Sequence, residues 1–354
     1  MCMEYQNILL IKMSSLGDIL HALPFAAALR ERYPQAKITW LVHPQFAGFV
    51  PDAPTIDEVL FFDKVAFKKL GFWAKFQFLC TFRQELHAKH FDLVIDLQGL
   101  FKSAVVAALT GCSERLGYCE MREGSGWVSK AICGAHRKDH VIERYLDVAR
   151  YLGAELKQLT FPLPDLTQEA LTVHTKLGLG EAPYDVIVPG ARWATKEWPP
   201  EHYAQLIKLM LAANAGAADA KERYVVLAGG PDEVGKGARI VELVPAGRVI
   251  NLIGQTSLRE LAALIAGCGV YISGDTGPLH FAAALQKPLI ALYGPTKADR
   301  TGPYGSSNST ILLSPASCAG CLKKHCRAWH CMYDITVARV FAEYQQKLWG
   351  INQH

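Results

Sequence analysis

Residues 271–280, YISGDTGPLH, combine a strand-like apolar run, a glycine turn and the start of a helix. Pro278 suits the first turn of a helix, because the amide hydrogen that proline lacks would have no partner there. Backbone N–H groups and the positive end of the helix dipole then face the turn, where they could bind a phosphate group. Thr276 and Gly277 can donate hydrogen bonds to phosphate oxygens, and His280 lies on the first helical turn. An ordinary strand-to-helix connection is the alternative for this segment taken by itself.

Two acidic residues near predicted strand ends, Asp275 and Glu233, could each have more than one function. Asp275 lies inside the glycine turn, where a carboxylate would repel a diphosphate unless a metal or a hydrogen bond intervenes. It could cap the helix, orient His280 or bind a ribose hydroxyl. The segment AGGPDE (228–233) ends another predicted strand, and Glu233 could supply a base or a ribose contact. A simple turn is the alternative there.

The loop MSSLGDILHALP (13–24) directly follows the first strand-like run. Ligands of open α/β sheets bind outside the carboxyl ends of strands, so we expect this loop to face a cleft between domains. Gly17 permits a sharp turn, and Asp18 stands at the mouth of the next helix, where its carboxylate could accept a proton from an attacking hydroxyl. Aspartate is also among the best helix N-caps, so a capping role alone is the alternative.

A third loop, VPGARWATKEWPPEHY (188–203), also follows a strand and is basic. Lys196 and Arg192 offer cations, and Gly190 allows the backbone to approach a ligand. This loop and the glycine turn are both predicted to end strands of one sheet, so together they could hold a diphosphate by charge and by backbone amides. A solvated lysine on a surface loop is the alternative.

Composition limits the class of protein. The chain has 354 residues, half of them apolar, and this length indicates about two domains. Its net charge of +4 is small and does not require a nucleic-acid partner. No GxGxxG or GxxxxGK[ST] motif is present, which argues against nicotinamide chemistry and against a P-loop ATPase or kinase. No apolar run reaches 18 residues, and the N-terminus lacks signal-peptide features, so we predict a cytoplasmic protein.

Apolar strand-like runs alternate with helical patterns along nearly the whole chain, which predicts an α/β protein with parallel sheets. There are too many strands for one sheet, so we expect two Rossmann-like domains that face a cleft. LTFPLPDLTQE (159–169) is the predicted linker, between an N-terminal domain (1–160) and a C-terminal domain (170–335). A final helix (336–354) should pack back onto a domain surface through an apolar stripe of Val337, Val340, Phe341, Tyr344 and Leu348.

Taken together, the loops resemble those of the ADP-heptose:lipopolysaccharide heptosyltransferases, a bacterial family of inverting glycosyltransferases. The motifs SSLGDILHALP, DLQGLFKS, GARWATKEWP, LIGQTSLRELAALI, SGDTGPLHFAAAL and YGPT carry the resemblance. It implies a GT-B fold, with the acceptor on the N-terminal domain and the nucleotide sugar on the C-terminal domain. It also implies transfer of heptose from ADP-heptose to a lipid-linked Kdo/heptose core oligosaccharide, with no required cofactor or metal.

The resemblance also implies roles for individual residues. The family's catalytic aspartate falls on Asp18, its phosphate-contacting lysine on Lys196, and an arginine directed at the acidic sugar on Arg122. We accordingly predict acceptor contacts from Ser15, Gly17, Lys69 and Arg122. The predicted nucleotide-sugar contacts are Gly190, Arg192, Thr195, Lys196, Glu233, Asp275, Thr276, Gly277 and His280. Another GT-B glycosyltransferase, a sugar-nucleotide epimerase and a non-catalytic nucleotide-binding module are the alternative functions.

Residues 64–90 mix lysines with aromatic side chains, a composition suited to anionic headgroups at a membrane face. We therefore predict peripheral contact with the inner leaflet of the inner membrane. The alternative is a helix with its aromatic side chains in the core and its lysines in solvent.

Near the C-terminus, four of the ten cysteines cluster within fourteen positions. A C-x2-C pair with two further cysteines can close a structural zinc site, although the spacing is tighter than in common zinc ribbons. We expect reduced thiols or a local disulfide instead of bound zinc. The four residues are Cys318, Cys321, Cys326 and Cys331.

Overall fold

The computed structural model describes residues 4–213 and 222–351, which divide into two compact units, 1–164 and 165–354. The boundary falls inside the segment predicted as a linker. The second unit begins earlier than position 170, because Asp165 accepts a hydrogen bond from the Thr167 amide at 2.9 Å and a helix starts at Thr167. Each unit contains a parallel sheet with helices packed on it, so the predicted α/β class is confirmed.

The first unit is built on a six-stranded sheet, as far as the described residues show, in the order β3-β2-β1-β4-β5-β6. β1 is fully apolar from Ile8 to Ile11 and completely buried, as expected for a central parallel strand. Its strands are β1 (Asn7–Ile11), β2 (Lys37–Val42), β3 (Glu58–Phe61), β4 (Leu93–Asp96), β5 (Arg115–Tyr118) and β6 (Lys130–Ile132). Its helices are α1 (Leu16–Arg32), α2 (Lys64–Lys69), α3 (Phe72–Ala88), α4 (Phe101–Leu109) and α5 (Val141–Tyr151).

The second unit repeats this plan, with the strand order β12-β11-β10-β7-β8-β9 in the described residues. Its strands are β7 (Tyr184–Val188), β8 (Tyr224–Leu227), β9 (Val249–Asn251), β10 (Tyr271–Gly274), β11 (Leu289–Tyr293) and β12 (Ser309–Leu313). Its helices are α6 (Thr167–Leu177), α7 (Pro200–Ala213), α8 (Val234–Glu242), α9 (Leu258–Gly267), α10 (Gly277–Ala284), α11 (Ala298–Thr301) and α12 (Val337–Ile351).

The last helix, α12, packs against α7 and β11 of the second unit. Val340 and Tyr344 are fully buried there, and the Tyr344 hydroxyl donates to Asp185 Oδ2 at 2.7 Å. Arg223 donates to the other carboxylate oxygen at 2.8 Å, so this buried acid is paired. None of the helices described in residues 4–213 and 222–351 is both long and apolar enough to cross a bilayer.

Both sheets follow the order of a Rossmann fold, which has one point where the direction of strand addition reverses. That point lies between β1 and β4 in the first unit and between β7 and β10 in the second. Loops that leave the carboxyl ends of these strands diverge to opposite faces and leave a crevice where ligands bind. The predicted catalytic and diphosphate loops follow strands at these two points.

Candidate active site

Asp18 lies in the first turn of α1, immediately after β1. Its Oδ2 accepts hydrogen bonds from the Ser15 amide at 2.7 Å and from the Ser15 hydroxyl at 2.9 Å. The N-cap is therefore Ser15, and Asp18 contributes to the cap from the third helical position. Asp18 still completes a capping box, yet its side chain is 42% exposed, so the carboxylate remains accessible to a ligand.

Lys12 is a buried lysine that sequence reasoning missed. Its side chain is only 2% exposed, and its Nζ lies 3.8 Å from Asp18 Oδ1. The ammonium also donates to the Leu97 carbonyl at 2.9 Å and to the Tyr145 hydroxyl oxygen at 2.6 Å. Burial, with a contribution from the Asp18 charge, raises the pKa of Tyr145 well above its ordinary value, so its phenol stays neutral. Lys12 is thus a fixed positive charge behind the exposed carboxylate.

The backbone between Lys12 and Asp18 is held by the loop after β4. Gln98 Oε1 accepts from the amides of Met13 at 3.0 Å and Ser14 at 3.1 Å. Gln98 is positioned in turn by Asp96, whose Oδ1 accepts from the amides of Gln98 and Gly99, both at 2.9 Å. Burial raises the pKa of Asp96, which is completely inaccessible to solvent. The DLQG segment is therefore a support for the Asp18 loop.

The predicted acceptor residues differ in how close they lie to Asp18. Ser15 contacts it directly, and Gly17 is buried beside it in the first turn of α1. The Arg122 amide donates to the Gly99 carbonyl at 2.9 Å, so this exposed arginine stands next to the loop after β4. Lys69 lies on another element, the last turn of α2, with its side chain exposed.

In the second unit, Lys196 and Asp275 form an ion pair that joins the loops after β7 and β10. Lys196 Nζ lies 2.7 Å from Asp275 Oδ2, and the two side chains are only 15% and 8% exposed. Tyr293 donates its hydroxyl to Asp275 Oδ1 at 3.4 Å. Gly274 allows this approach, because a Cβ there would lie 2.8 Å from the Lys196 carbonyl oxygen. The helix cap is Thr276, so a capping role for Asp275 is wrong.

Helix α10 begins at Gly277 with Pro278 in its first turn, as predicted. Among the described residues, the Thr276 side chain makes no capping hydrogen bond to that turn, which leaves its first amides able to meet an anion. His280 is buried in the same helix. The strand, turn and helix together form the geometry of a phosphate-binding terminus.

Glu233 and Gly190 lie in contact where β7 and β8 end. A Cβ at Gly190 or at Gly229 would overlap the Glu233 carboxyl group, so glycine at both strand ends lets this carboxyl pack directly against the backbone. The Gly230 amide donates to Glu233 Oε2 at 3.1 Å. Burial raises the pKa of Glu233, although this hydrogen bond and Lys236 act in the opposite direction. The loops that follow β7 and β8 therefore meet at this edge of the sheet.

The Lys196 loop is fixed from outside by the segment that carries the clustered cysteines. Thr195 is buried, its hydroxyl donates to the Lys323 carbonyl at 3.0 Å, and Trp329 Nε1 donates to the Thr195 carbonyl at 3.0 Å. Lys196 Nζ lies over the Trp193 ring, 4.5 Å from its centroid. This is a cation–π contact, and it was not predicted from the sequence. Arg192, next to this ring, is exposed.

The four cysteines of this segment are free thiols. Cys331 is buried, and burial together with the neighbouring thiols of the cluster raises its pKa. Within residues 4–213 and 222–351, no three histidine, cysteine or acidic side chains are arranged to hold a metal ion. The structure therefore supplies no ligand set for the zinc considered above.

Comparison with known proteins gives the class of the molecule. Over nearly the whole chain, the structure matches an E. coli ADP-heptose lipopolysaccharide heptosyltransferase II (TM-score 0.79, 25% identity, 98% of this chain and 100% of that chain). It also matches an E. coli heptosyltransferase solved with ADP (TM-score 0.75, 27% identity, 97% and 100% covered). The two units thus have the fold of the GT-B heptosyltransferases.

The chain belongs to glycosyltransferase family 9 (heptosyltransferase), whose model matches residues 79–331. It is therefore a glycosyltransferase, and the family resemblance noted in the sequence is confirmed. Lipopolysaccharide heptosyltransferase 1 of Pseudomonas aeruginosa is 31% identical over 338 residues, which cover 90% of this chain and 87% of that protein. The family match includes the Lys196 and Asp275 loops but begins after Asp18.

Proposed function

We propose that the protein transfers a heptose from ADP-heptose to the inner core of lipopolysaccharide, with inversion at the anomeric carbon. Membership of a heptosyltransferase family supports the sugar, and the names of its relatives support the acceptor. The observation that carries the mechanism is Asp18, an exposed carboxylate fixed by Ser15 and backed by buried Lys12.

Asp18 would act as the general base. Inversion requires the acceptor hydroxyl to attack the anomeric carbon directly, and that hydroxyl must lose its proton as the new bond forms. Oδ2 is occupied by Ser15, so Oδ1 is the oxygen that would accept the proton. Lys12 would stabilise the carboxylate between turnovers without contacting the sugar.

The leaving group is ADP, whose β-phosphate gains negative charge as the glycosidic bond breaks. Lys196 and the first-turn amides of α10 would stabilise that charge, with Thr276 and Gly277 as donors. Asp275 would hold Lys196 in place, and its own charge is offset by the ion pair. Glu233 lies where a ribose hydroxyl could be bound, between the ends of β7 and β8. Gly190, Arg192, Thr195 and His280 would complete the nucleotide-sugar contacts.

The acceptor is acidic and attached to lipid in this proposal. Arg122 and Lys69 would bind its acidic sugars, and the backbone near Gly17 would border the reacting hydroxyl. The reaction would take place at the cytoplasmic face of the inner membrane, with no cofactor or metal required.

The test is incubation with ADP-heptose and defined truncated core acceptors, with the product measured by mass. Asp18→Asn should lower kcat by about 10²- to 10⁴-fold while the fold is retained, because asparagine can still accept the Ser15 hydrogen bonds. Glu169→Gln is the matched control, since it removes a first-turn acid from α6 and should leave the rate unchanged.

Three results would contradict the proposal. Turnover of a UDP-sugar without acceptor would indicate an epimerase. ADP binding with no transfer to any core acceptor would indicate a nucleotide-binding module. Full activity of Asp18→Asn would exclude this carboxylate as the base.

A further inference from the structure

Helix α3 carries two sets of aromatic side chains on different faces. Phe78 and Phe82 face inward and stack at 5.7 Å, in a core cluster with Phe62 and Phe67. Phe72, Trp73 and Phe76 face outward. The surface role predicted for this segment and its alternative, aromatic side chains in the core, therefore each describe one face of the helix.

The outward set is unusually exposed for aromatic side chains. Phe72 is 77% exposed, Trp73 78% and Phe76 59%, and the rings of Phe72 and Trp73 contact each other edge to face. Phe76 follows Trp73 by three residues and Phe72 by four, so the three rings lie on one side of the helix. Large rings grouped on a surface mark an interaction site more strongly than scattered apolar residues do.

Lysines surround these rings. Between positions 64 and 83 the sequence contains five basic residues and no acidic residue. Lys68 is exposed at the end of α2, and Lys75 lies one helical turn into α3, with its Nζ 6.0 Å from the Phe67 ring centroid. We call the set Lys64, Lys68, Lys75, Phe72, Trp73 and Phe76 the α2–α3 patch.

The α2–α3 patch adjoins the proposed acceptor side of the first unit. Lys102, in the first turn of α4, has its pKa lowered mainly by burial, with Lys64 lowering it further and Asp18 raising it. Lys102 is therefore within electrostatic reach of both the patch and the proposed base.

We propose that the α2–α3 patch docks the enzyme on an anionic lipid bilayer, with the three rings inserted at the headgroup level and the lysines on the lipid phosphates. Aromatic rings favour the membrane interface, and each lysine near an anionic surface adds to the attraction. The combination of apolar insertion and positive charge is that of an interfacial amphipathic helix. This inference rests on the proposed function, which supplies a lipid-linked acceptor.

The experiment is flotation of the purified full-length chain with vesicles of phosphatidylcholine alone or with 30% phosphatidylglycerol added. The wild-type chain should bind the anionic vesicles and be released by high salt. Phe72→Ser/Trp73→Ser should bind at least tenfold more weakly, and Lys68→Glu/Lys75→Glu should lose the preference for anionic lipid. Trp349→Ser is the matched control, because it removes another exposed aromatic ring, from α12, and should bind like the wild-type chain.

Activity separates this inference from the proposed function. Phe72→Ser/Trp73→Ser should keep its rate on a deacylated, water-soluble acceptor and lose rate on an acceptor embedded in vesicles. If the wild-type chain transfers no heptose, the proposed function fails, while vesicle binding still decides the role of the patch. Equal vesicle binding by the wild-type chain and the serine variant would overturn the inference. So would a wild-type chain that ignores vesicles and instead forms a dimer abolished by the same variant.

Discussion

The ion pair between Lys196 and Asp275 predicts that replacing its two members has unequal effects on stability and opposite effects on ADP affinity. Lys196→Met leaves a carboxylate that is 8% exposed, with the Tyr293 hydroxyl at 3.4 Å as its remaining side-chain partner. Breaking a buried pair in this way costs about 3 kcal/mol. For a unit of this size, that corresponds to a fall in melting temperature of about 6–12 °C. Asp275→Asn should cost less, because Lys196 keeps its contact with the Trp193 ring.

The double variant Lys196→Met/Asp275→Asn removes both charges, and its stability should recover to within about 1 kcal/mol of the wild-type chain. Differential scanning calorimetry on the four proteins measures this coupling. A double variant no more stable than Lys196→Met would refute the assignment of the pair as a buried, mutually dependent unit.

The same variants can be compared for ADP affinity, measured by titration calorimetry. Lys196→Met loses a charge-assisted hydrogen bond to the diphosphate and should bind about 10- to 100-fold more weakly. Asp275→Asn removes a negative charge beside the diphosphate and should bind ADP as tightly or more tightly. If Asp275→Asn weakened ADP as much as Lys196→Met does, Asp275 would itself contact the nucleotide, and the positioning role given to it would be wrong.

Two further predictions concern Glu233, Gly190 and Asp96. Gly190→Ala should displace the Glu233 carboxyl, which its methyl group would overlap, and so weaken ADP binding with little change in thermal melts; Gly190→Ala/Glu233→Ala should bind ADP no more weakly than Glu233→Ala does. Burial raises the pKa of Asp96, so the folded chain holds a proton that the unfolded chain has released once the pH exceeds about 4. Stability should therefore fall as the pH rises from 4 through the raised pKa, and Asp96→Asn should remove that dependence in denaturant titrations.

Local patterns in the sequence located the exposed chemical groups well. Asp18 and Lys196 follow buried strands, and the carboxyl ends of parallel strands are where an α/β fold binds ligands. Pro278 and the glycine turn correctly predicted where α10 begins, because the first helical turn tolerates a missing amide hydrogen. The N-cap at Ser15 could also have been predicted, since a serine three residues before an acidic residue is a capping-box pattern.

The partners of those groups could not be found in the same way. Lys12 reads as the end of the run NILLIK, and its role depends on Leu97, which is 85 positions away and becomes a neighbour only because β4 pairs with β1. Asp275 meets Lys196 across 79 positions for the same reason, because β10 lies next to β7. Strand order is a long-range property, so a single sequence leaves these pairings open.

The two ion pairs differ in which member is the more exposed, and that difference agrees with the roles proposed for them. In the first unit the cation Lys12 is 2% exposed and the acid Asp18 is 42% exposed. In the second unit the acid Asp275 is the more buried member, and the cation Lys196 is the more exposed one. A buried charge cannot reach substrate, but it can fix and stabilise the charge in front of it. Proton removal needs an exposed base, and a departing diphosphate needs an exposed cation. In the proposed reaction, each unit would therefore present the charge that one half of the transfer requires, and the opposite charge would support it.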